Sequence, residues 1–296
     1  MKSIIVYYSL TGNTGIIARA IHKGMSQLIE QCDIAKIKQL DIRHLNGYDL
    51  IGVGSPVWGG VPANVKLFID KLPSLPGKHA FAFSTHAVLG QRFFEILKLL
   101  KSKSLTVIGI RDWYAGAYRP NLPEPYLTDG HPDEIDLKEA ADFGREMAEV
   151  SRRIYAKGPQ FIPSLPPMPK LPPRNKLVRP IPKYNIKECL YPDCHLCMDN
   201  CPVDGINLSS TPPVFARPCL SCHFCEMICP TGAVEVDYEP LAKAHLERVR
   251  KVFVPYLAQA EAEGRFRRLV PLEKVGWDTP YYKVHNKHPR YVIPPG

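Results

Sequence analysis

Residues 3–15 read SIIVYYSLTGNTG, an uninterrupted apolar run followed by a short polar turn. An apolar run of this kind is typical of a β-strand that is buried on both faces, as in a parallel sheet. The amphipathic stretch from about residue 14 to residue 28 predicts a helix directly after the turn. A buried strand, a glycine-containing turn and a helix are together the first unit of a doubly wound α/β fold.

The alternation of strand and helix signals continues to residue 157. Further strands are predicted over residues 34–37, 48–54, 80–84 and 105–110. Helices are predicted over residues 63–72, 92–100 and 132–156. Because strands that alternate with helices indicate a parallel sheet, residues 1–157 are expected to form one α/β domain with a doubly wound, five-stranded parallel sheet.

The turn after the first strand has the composition of a phosphate site. Ser9, Thr11 and Thr14 offer hydroxyl groups, Gly12 is flexible, and the following helix leaves free N–H groups at its start. The turn is neither a Walker loop, which needs Gly-Lys-Ser/Thr, nor a Gly-x-Gly-x-x-Gly dinucleotide turn. It lies where doubly wound sheets bind ligands, and it suits one terminal phosphate.

Two further loops follow predicted strands, GSPVWGG at residues 54–60 and STHAVLG at residues 84–90. With the phosphate loop, in this order, they resemble the flavodoxin family over about residues 1–157. The resemblance implies an FMN-binding domain in which Trp58 stacks on one flavin face and the peptide at Gly59 meets the flavin N5. The implied FMN contacts are Ser9, Thr11, Gly12, Asn13, Thr14, Pro56, Val57, Trp58, Gly59, Thr85, His86 and Gly90.

One loop residue departs from the family pattern. His86 stands where many flavodoxins place a tyrosine. The other flavin face is then either open or covered by Trp113, Tyr114 or a second domain. For Trp58 the alternative is an ordinary core tryptophan.

Residues 158–183 hold nine prolines in 26 positions. Proline lacks the N–H group and fixes φ, so this segment is expected to be an extended, semi-rigid linker. The cysteine-rich residues 184–240 that follow are short of large aliphatic side chains and are expected to need metal to fold.

The second cysteine run is Cys219-x2-Cys222-x2-Cys225-x3-Cys229-Pro, the spacing of a bacterial ferredoxin. In that motif three thiolates bind one cluster and the fourth cysteine binds the other. The first run, Cys189-x4-Cys194-x2-Cys197-x3-Cys201-Pro, matches except that its first cysteine comes two residues early.

Two [4Fe–4S] clusters are therefore predicted for residues 184–240. One would be held by Cys189, Cys194, Cys197 and Cys229, and the other by Cys201, Cys219, Cys222 and Cys225. A three-iron or labile first cluster is the alternative. The number and spacing of the cysteines do not fit zinc ribbons.

The chain as a whole resembles flavodoxin–ferredoxin fusions, the EFR1-type ferredoxins, over about residues 1–240. The resemblance implies a cytoplasmic carrier that passes low-potential electrons between FMN and the two clusters to a partner reductase. Its partners would be a low-potential donor protein and an acceptor reductase. The chain could also form a homo-oligomer. The alternative is an FMN-dependent reductase of a small substrate, with the clusters refilling the flavin.

Charge and composition argue against a nucleic-acid-binding protein and against a membrane-spanning protein. The net charge is +9, but residues 184–240 carry two basic and eight acidic residues, whereas residues 241–296 carry 11 basic and five acidic. A basic C-terminal extension that docks on its own acidic domain is expected rather than a nucleic-acid-binding protein. Its residues 241–263 have a helical pattern that Pro255 interrupts. No apolar stretch is long enough to suggest a membrane span.

Overall fold

The computed structural model describes residues 1–167, 180–210, 213–215 and 219–293. These residues divide into two compact units. The first unit contains residues 1–116 and 130–167, and the second contains residues 117–129 and the described residues from 180 onward. Residues 168–179 of the predicted linker lie outside the described residues.

The first unit is built on a five-stranded parallel sheet with the strand order β2-β1-β3-β4-β5. Its strands are β1 (Lys2–Tyr7), β2 (Gln31–Lys36), β3 (Leu50–Pro56), β4 (His79–His86) and β5 (Thr106–Tyr114). Its helices are α1 (Asn13–Met25), α2 (Ala63–Asp70), α3 (Glu95–Lys101) and α4 (Glu134–Lys157). The predicted fold class is confirmed, but β4 and β5 run two and four residues beyond their predicted ends.

Alternate residues of the central strands enter the cores on opposite faces of this sheet. Ile4 and Val6 pack with α2 and α3, whereas Ile5 and Tyr7 pack with α1 and α4. Each strand can therefore be almost continuously apolar, which is the signal that predicted it. The strand order reverses between β1 and β3, so the loops after these strands lead to opposite faces of the sheet and leave a crevice at the topological switch point.

Helices α1 and α4 approach so closely that glycine is required at their contact. A Cβ atom at Gly24 would overlap the carbonyl oxygen of Ala141, and one at Gly144 would overlap that of Ile21. Because backbone atoms cannot move aside as a side chain can, the two helices would have to separate.

We expect Gly144→Ala to lower the free energy of unfolding by about 2 kcal/mol, the overpacking cost less the higher helix propensity of alanine. Guanidinium unfolding of the purified protein measures it. Gly47→Ala is the matched control, because no described atom lies within 4 Å of a Cβ at that position. Equal stability of the two variants would contradict this account of the helix contact.

The second unit contains short elements around the cysteine runs. Two antiparallel pairs are formed by β6 (Lys183–Tyr184) with β9 (Val234–Glu235), and by β7 (Ile206–Asn207) with β8 (Val214–Phe215). The short helices α5 (Leu196–Asp199) and α6 (Phe224–Met227) each begin inside a Cys-x2-Cys step and end two residues before a Cys-Pro pair. The two runs thus have the same local structure, as their similar spacing predicts.

The C-terminal extension begins with two helices, α7 (Glu239–Arg248) and α8 (Val254–Ala262), and later forms α9 (Tyr281–Val284). The interruption expected at Pro255 is present as a π-helical turn, Val249–Phe253, because the proline has no N–H group to continue the α-helical hydrogen bonds. Among the described residues, none of the helices combines the length and the apolar character that a bilayer crossing requires.

Candidate cofactor sites

The phosphate loop joins β1 to the start of α1. Gly12 has φ +100°, a conformation that favours glycine, and no described side chain caps the helix at this residue. The first turn of α1 also contains no acidic residue. The N–H groups and the positive end of the helix dipole are thus available to an anion.

Two of the predicted phosphate-loop residues also connect neighbouring loops. The Asn13 side-chain amide donates to the carbonyl oxygen of Gly116 at 2.8 Å. The hydroxyl of Thr14 is buried and shares a 2.8 Å hydrogen bond with that of Thr85, at the end of β4. The structure therefore brings the first and third predicted loops together at one edge of the sheet, whereas Ser9 and Thr11 lie half-buried.

The Trp58 loop continues the pairing of β3 and β4. The Val57 N–H donates to the carbonyl oxygen of Thr85, and the chain then turns through two glycines, Gly59 at φ +72° and Gly60 at φ +150°. The Trp58 ring is half-buried and lies edge-on to Tyr8, with 5.7 Å between the ring centroids. This indole is at the rim of the core and not within it.

The His86 ring is fixed by residues of β5 and by the loop after β4. Its Nε2 lies 2.6 Å from the Asp112 carboxylate, and the Tyr114 ring is 4.7 Å away. A Cβ at Gly90 would lie within 2.7 Å of both members of this pair, so a side chain there would displace the pair. His86 Nδ1 is buried and has no partner among the described residues.

Two of these findings differ from the sequence analysis. Trp113 is 3% exposed and packs on Phe143 of α4, so it cannot cover a flavin face. Asp112 was missed, because the apolar pattern that predicted β5 ends at residue 110. Its carboxylate is the partner that orients His86.

The eight cysteines of the second unit line two separate cavities. The first cysteine set, around a cavity of about 330 Å³, is Cys189, Cys194, Cys197 and Cys229. The second cysteine set, around a cavity of about 410 Å³, is Cys201, Cys219, Cys222 and Cys225. The last cysteine of each run thus lies with the first three cysteines of the other run. Cys189 lies with its set although it comes early in the sequence.

Backbone amides point at several of these sulfur atoms. The Tyr191 N–H lies 3.3 Å from Cys189 Sγ, the Gly205 N–H 3.2 Å from Cys201 Sγ, and the Ser221 N–H 3.3 Å from Cys219 Sγ. Such N–H groups stabilise thiolates and are among the features that set cluster potentials.

One thiol of the first set and one of the second resist ionisation in the absence of a bound cation. Burial, together with repulsion from Cys229, Cys189 and Cys194, raises the pKa of Cys197 to about 11. Burial also raises the pKa of Cys222 to about 11. A metal centre must therefore displace protons, and it compensates the charge of the thiolates when it does so.

The donor set of each cavity fits an iron–sulfur cluster. Each cavity is lined by four cysteines. Four cysteine thiolates are the ligands that a [4Fe–4S] cluster requires.

Comparison with known proteins finds a flavodoxin-domain match and a shorter ferredoxin match. A flavodoxin-domain family profile matches residues 4–92. The uncharacterized protein MJ0298 of Methanocaldococcus jannaschii is 31% identical over 154 residues, which cover 50% of this chain and 98% of that protein. The chain belongs to the flavodoxin-domain family. The uncharacterized ferredoxin MJ0199 of the same organism is 42% identical to this flavodoxin-domain protein over 53 residues, or 17% of this chain and 86% of the ferredoxin.

Solved structures similar to the flavodoxin half include a flavodoxin from the domain Archaea, with a TM-score of 0.42 and 22% identity over 51% of this chain and 99% of that one. Another is the two-electron reduced flavodoxin of Megasphaera elsdenii, with a TM-score of 0.40 and 22% identity over 50% of this chain and 98% of that one. The two family relationships support a flavodoxin–ferredoxin fusion with an electron-transport role and with flavin and iron–sulfur chemistry.

Proposed function

We propose that this protein is an electron carrier that holds one FMN and two [4Fe–4S] clusters and delivers low-potential electrons to a partner reductase. The observation that carries the proposal is the crossed arrangement of two four-cysteine sets in a chain that also contains a flavodoxin domain. The fusion raises the effective concentration of one carrier beside the other. The EFR1 type and the cytoplasmic location remain predictions.

Different residues are proposed to bind different parts of FMN. The start of α1, with Ser9, Thr11, Gly12, Asn13 and Thr14, holds the FMN phosphate, and Trp58 lies against one face of the flavin. Pro56, Val57, Gly59, Thr85 and Gly90 shape the two flavin loops, while His86 is oriented by Asp112. When bound, FMN supplies one- or two-electron chemistry and each cluster supplies one-electron chemistry.

Anaerobic purification with iron, sulfide and flavin analysis tests the proposal. We expect about eight iron atoms and one FMN per chain, from two four-iron clusters and one flavin site. Stepwise reduction with dithionite, followed by absorbance and EPR, should then resolve both kinds of centre. Flavin with no iron, or about four iron atoms after careful reconstitution, would contradict it.

One observation favours the alternative of a reductase acting on a small substrate. Such an enzyme needs a proton donor at the flavin loops, and His86 has one nitrogen held by Asp112 and the other buried without a described partner. Steady-state reduction of a small substrate by the chemically reduced protein alone would favour this function. Electron delivery that always requires a partner protein would favour the carrier.

The phosphate site predicts a charge-dependent loss of FMN. Ser9→Asp is expected to weaken FMN binding at least about tenfold, because like charges about 4 Å apart near a protein surface repel by several kcal/mol. Ser9→Asn is the control, because asparagine has nearly the same shape as aspartate but carries no charge. Quenching of FMN fluorescence on titration with apoprotein measures both, and an Asp variant that binds as tightly as the Asn variant would place the phosphate elsewhere.

A further inference from the structure

The segment that carries the clusters supplies few cations of its own. Residues 184–240 contain eight acidic residues and only two basic ones, Lys187 and Arg217. Lys187 is exposed, so water and salt screen its charge. Arg217 lies outside the described residues, so the described cations that could act strongly on a cluster come from other parts of the chain.

Arg119 is such a cation, and it comes from the sequence between β5 and α4. Residues 117–129 belong to the second unit although the sequence around them forms the flavodoxin half. The half-buried Arg119 guanidinium donates to the carbonyl oxygen of Ser221 at 3.4 Å. Ser221 lies between Cys219 and Cys222, and its own N–H points at Cys219 Sγ.

The charge of Arg119 lies beside the second cysteine set. Its guanidinium contacts the loop between Cys219 and Cys222, two cysteines that line the second cavity. Among the described residues, neither a lysine nor an arginine lines the first cavity. The two sets thus have different electrostatic surroundings.

The C-terminal extension holds the segment of Arg119 in place. The Glu124 N–H donates to Thr279, the Tyr281 N–H to Leu122 and the Tyr282 N–H to Pro120, with N···O distances of 2.7–3.0 Å. Backbone hydrogen bonds on both sides of Pro123 fix the path of the segment. The guanidinium is therefore pre-organised beside the loop between Cys219 and Cys222.

We propose that Arg119, held by the C-terminal extension, raises the reduction potential of the cluster on the second cysteine set above that of the cluster on the first set. The reduced cluster is more negative by one charge, so a fixed cation stabilises it over the oxidised form. An electron that enters the ferredoxin unit then settles first on the second set. This inference rests on the proposed function, because it requires both clusters.

The test is a dithionite titration of the full, iron-loaded chain, in which each cluster accepts one electron from the reductant and EPR follows the two signals. In Arg119→Gln and Arg119→Met, the midpoint potential of one cluster is expected to fall by about 59 mV. This shift corresponds to a roughly tenfold change in the equilibrium constant for one-electron reduction. The shifted signal should be the one that Cys201→Ala removes. Arg119→Lys should stay near wild type, and Lys187→Gln is the control for loss of a screened charge.

Midpoints that do not move in the neutral variants at full iron load would overturn the inference while leaving the two-cluster proposal intact. A shift that is equally large in Arg119→Lys would assign the effect to packing and would also overturn it. If the neutral variants bind less iron, Arg119→His provides a second test, because its imidazole can be charged or neutral in the same folded protein. Its midpoint should fall as the pH rises past the ordinary imidazole pKa of about 6.5, and a midpoint with the pH dependence of wild type would overturn the inference.

Discussion

Cys229→Ala is expected to remove the cluster of the first cysteine set, with about half of the iron, although Cys229 belongs to the second cysteine run. Its sulfur shares a cavity with Cys189, Cys194 and Cys197. Cys201→Ala is expected to remove the other cluster, because that sulfur lies with Cys219, Cys222 and Cys225. Iron analysis and EPR of the reduced, anaerobically reconstituted proteins measure both losses.

Double variants test the crossed arrangement directly. Cys194→Ala combined with Cys229→Ala should lose no more iron than either single change, because both residues serve one set. Cys201→Ala combined with Cys229→Ala should lose all of it. Cys32→Ala, in β2 of the first unit, is the control that should keep a full iron load. The opposite pattern, in which Cys222→Ala and Cys229→Ala remove the same cluster, would show that each run serves its own cluster.

The grouping of the cysteines around the two cavities agrees with the expectation from the Cys-x3-Cys-Pro spacing, in which the fourth cysteine serves the other cluster. The strands β1, β3 and β4 were predictable because each contains a buried apolar run such as Ile4–Val6, whereas β2 is only half-buried and gave a weaker signal. Strand ends were not predictable, because Asp112 and Tyr114 are polar or amphipathic residues whose place in β5 depends on pairing with β4. Ser221 and His223 adopt left-handed φ values of +49° and +59°, which their residue types do not indicate.

The position of residues 117–129 also lay beyond sequence analysis. The segment contains three prolines and has no helical or strand period. Its place depends on hydrogen bonds to residues more than 150 positions later, such as that between Glu124 and Thr279. Only the fold shows that Arg119 belongs with the cysteine runs. The basic C-terminal extension was expected to dock on the acidic cysteine-rich domain, and Arg290 supplies the contact that the charge pattern predicted.

Arg290→Met is expected to destabilise the second unit by about 3–5 kcal/mol, the usual cost of leaving a buried charge unpaired. The Glu226 side chain is only 3% exposed and directly follows Cys225. Arg290 Nε donates to one of its carboxylate oxygens at 2.6 Å, and the Tyr238 hydroxyl donates to the other at 2.9 Å. Without the guanidinium, the carboxylate keeps the Tyr238 hydroxyl and the more distant His288 Nε2, 4.0 Å away, and loses the permanent charge that compensates it.

Anaerobic guanidinium unfolding of the iron-loaded protein, followed by near-UV circular dichroism, measures this loss. Lys287→Met is the matched control, because Lys287 is exposed in the same segment and should change stability by less than about 0.5 kcal/mol. A double-mutant cycle then separates the contribution of the charge from the contribution of side-chain packing to the stability. Glu226→Gln combined with Arg290→Met removes both charges, so it should be more stable than Arg290→Met alone. If the double variant were no more stable than the single one, the contact would act through shape and not through charge. The C-terminal extension would then hold the cysteine-rich domain without the ion pair that the opposite charges of the two segments predict.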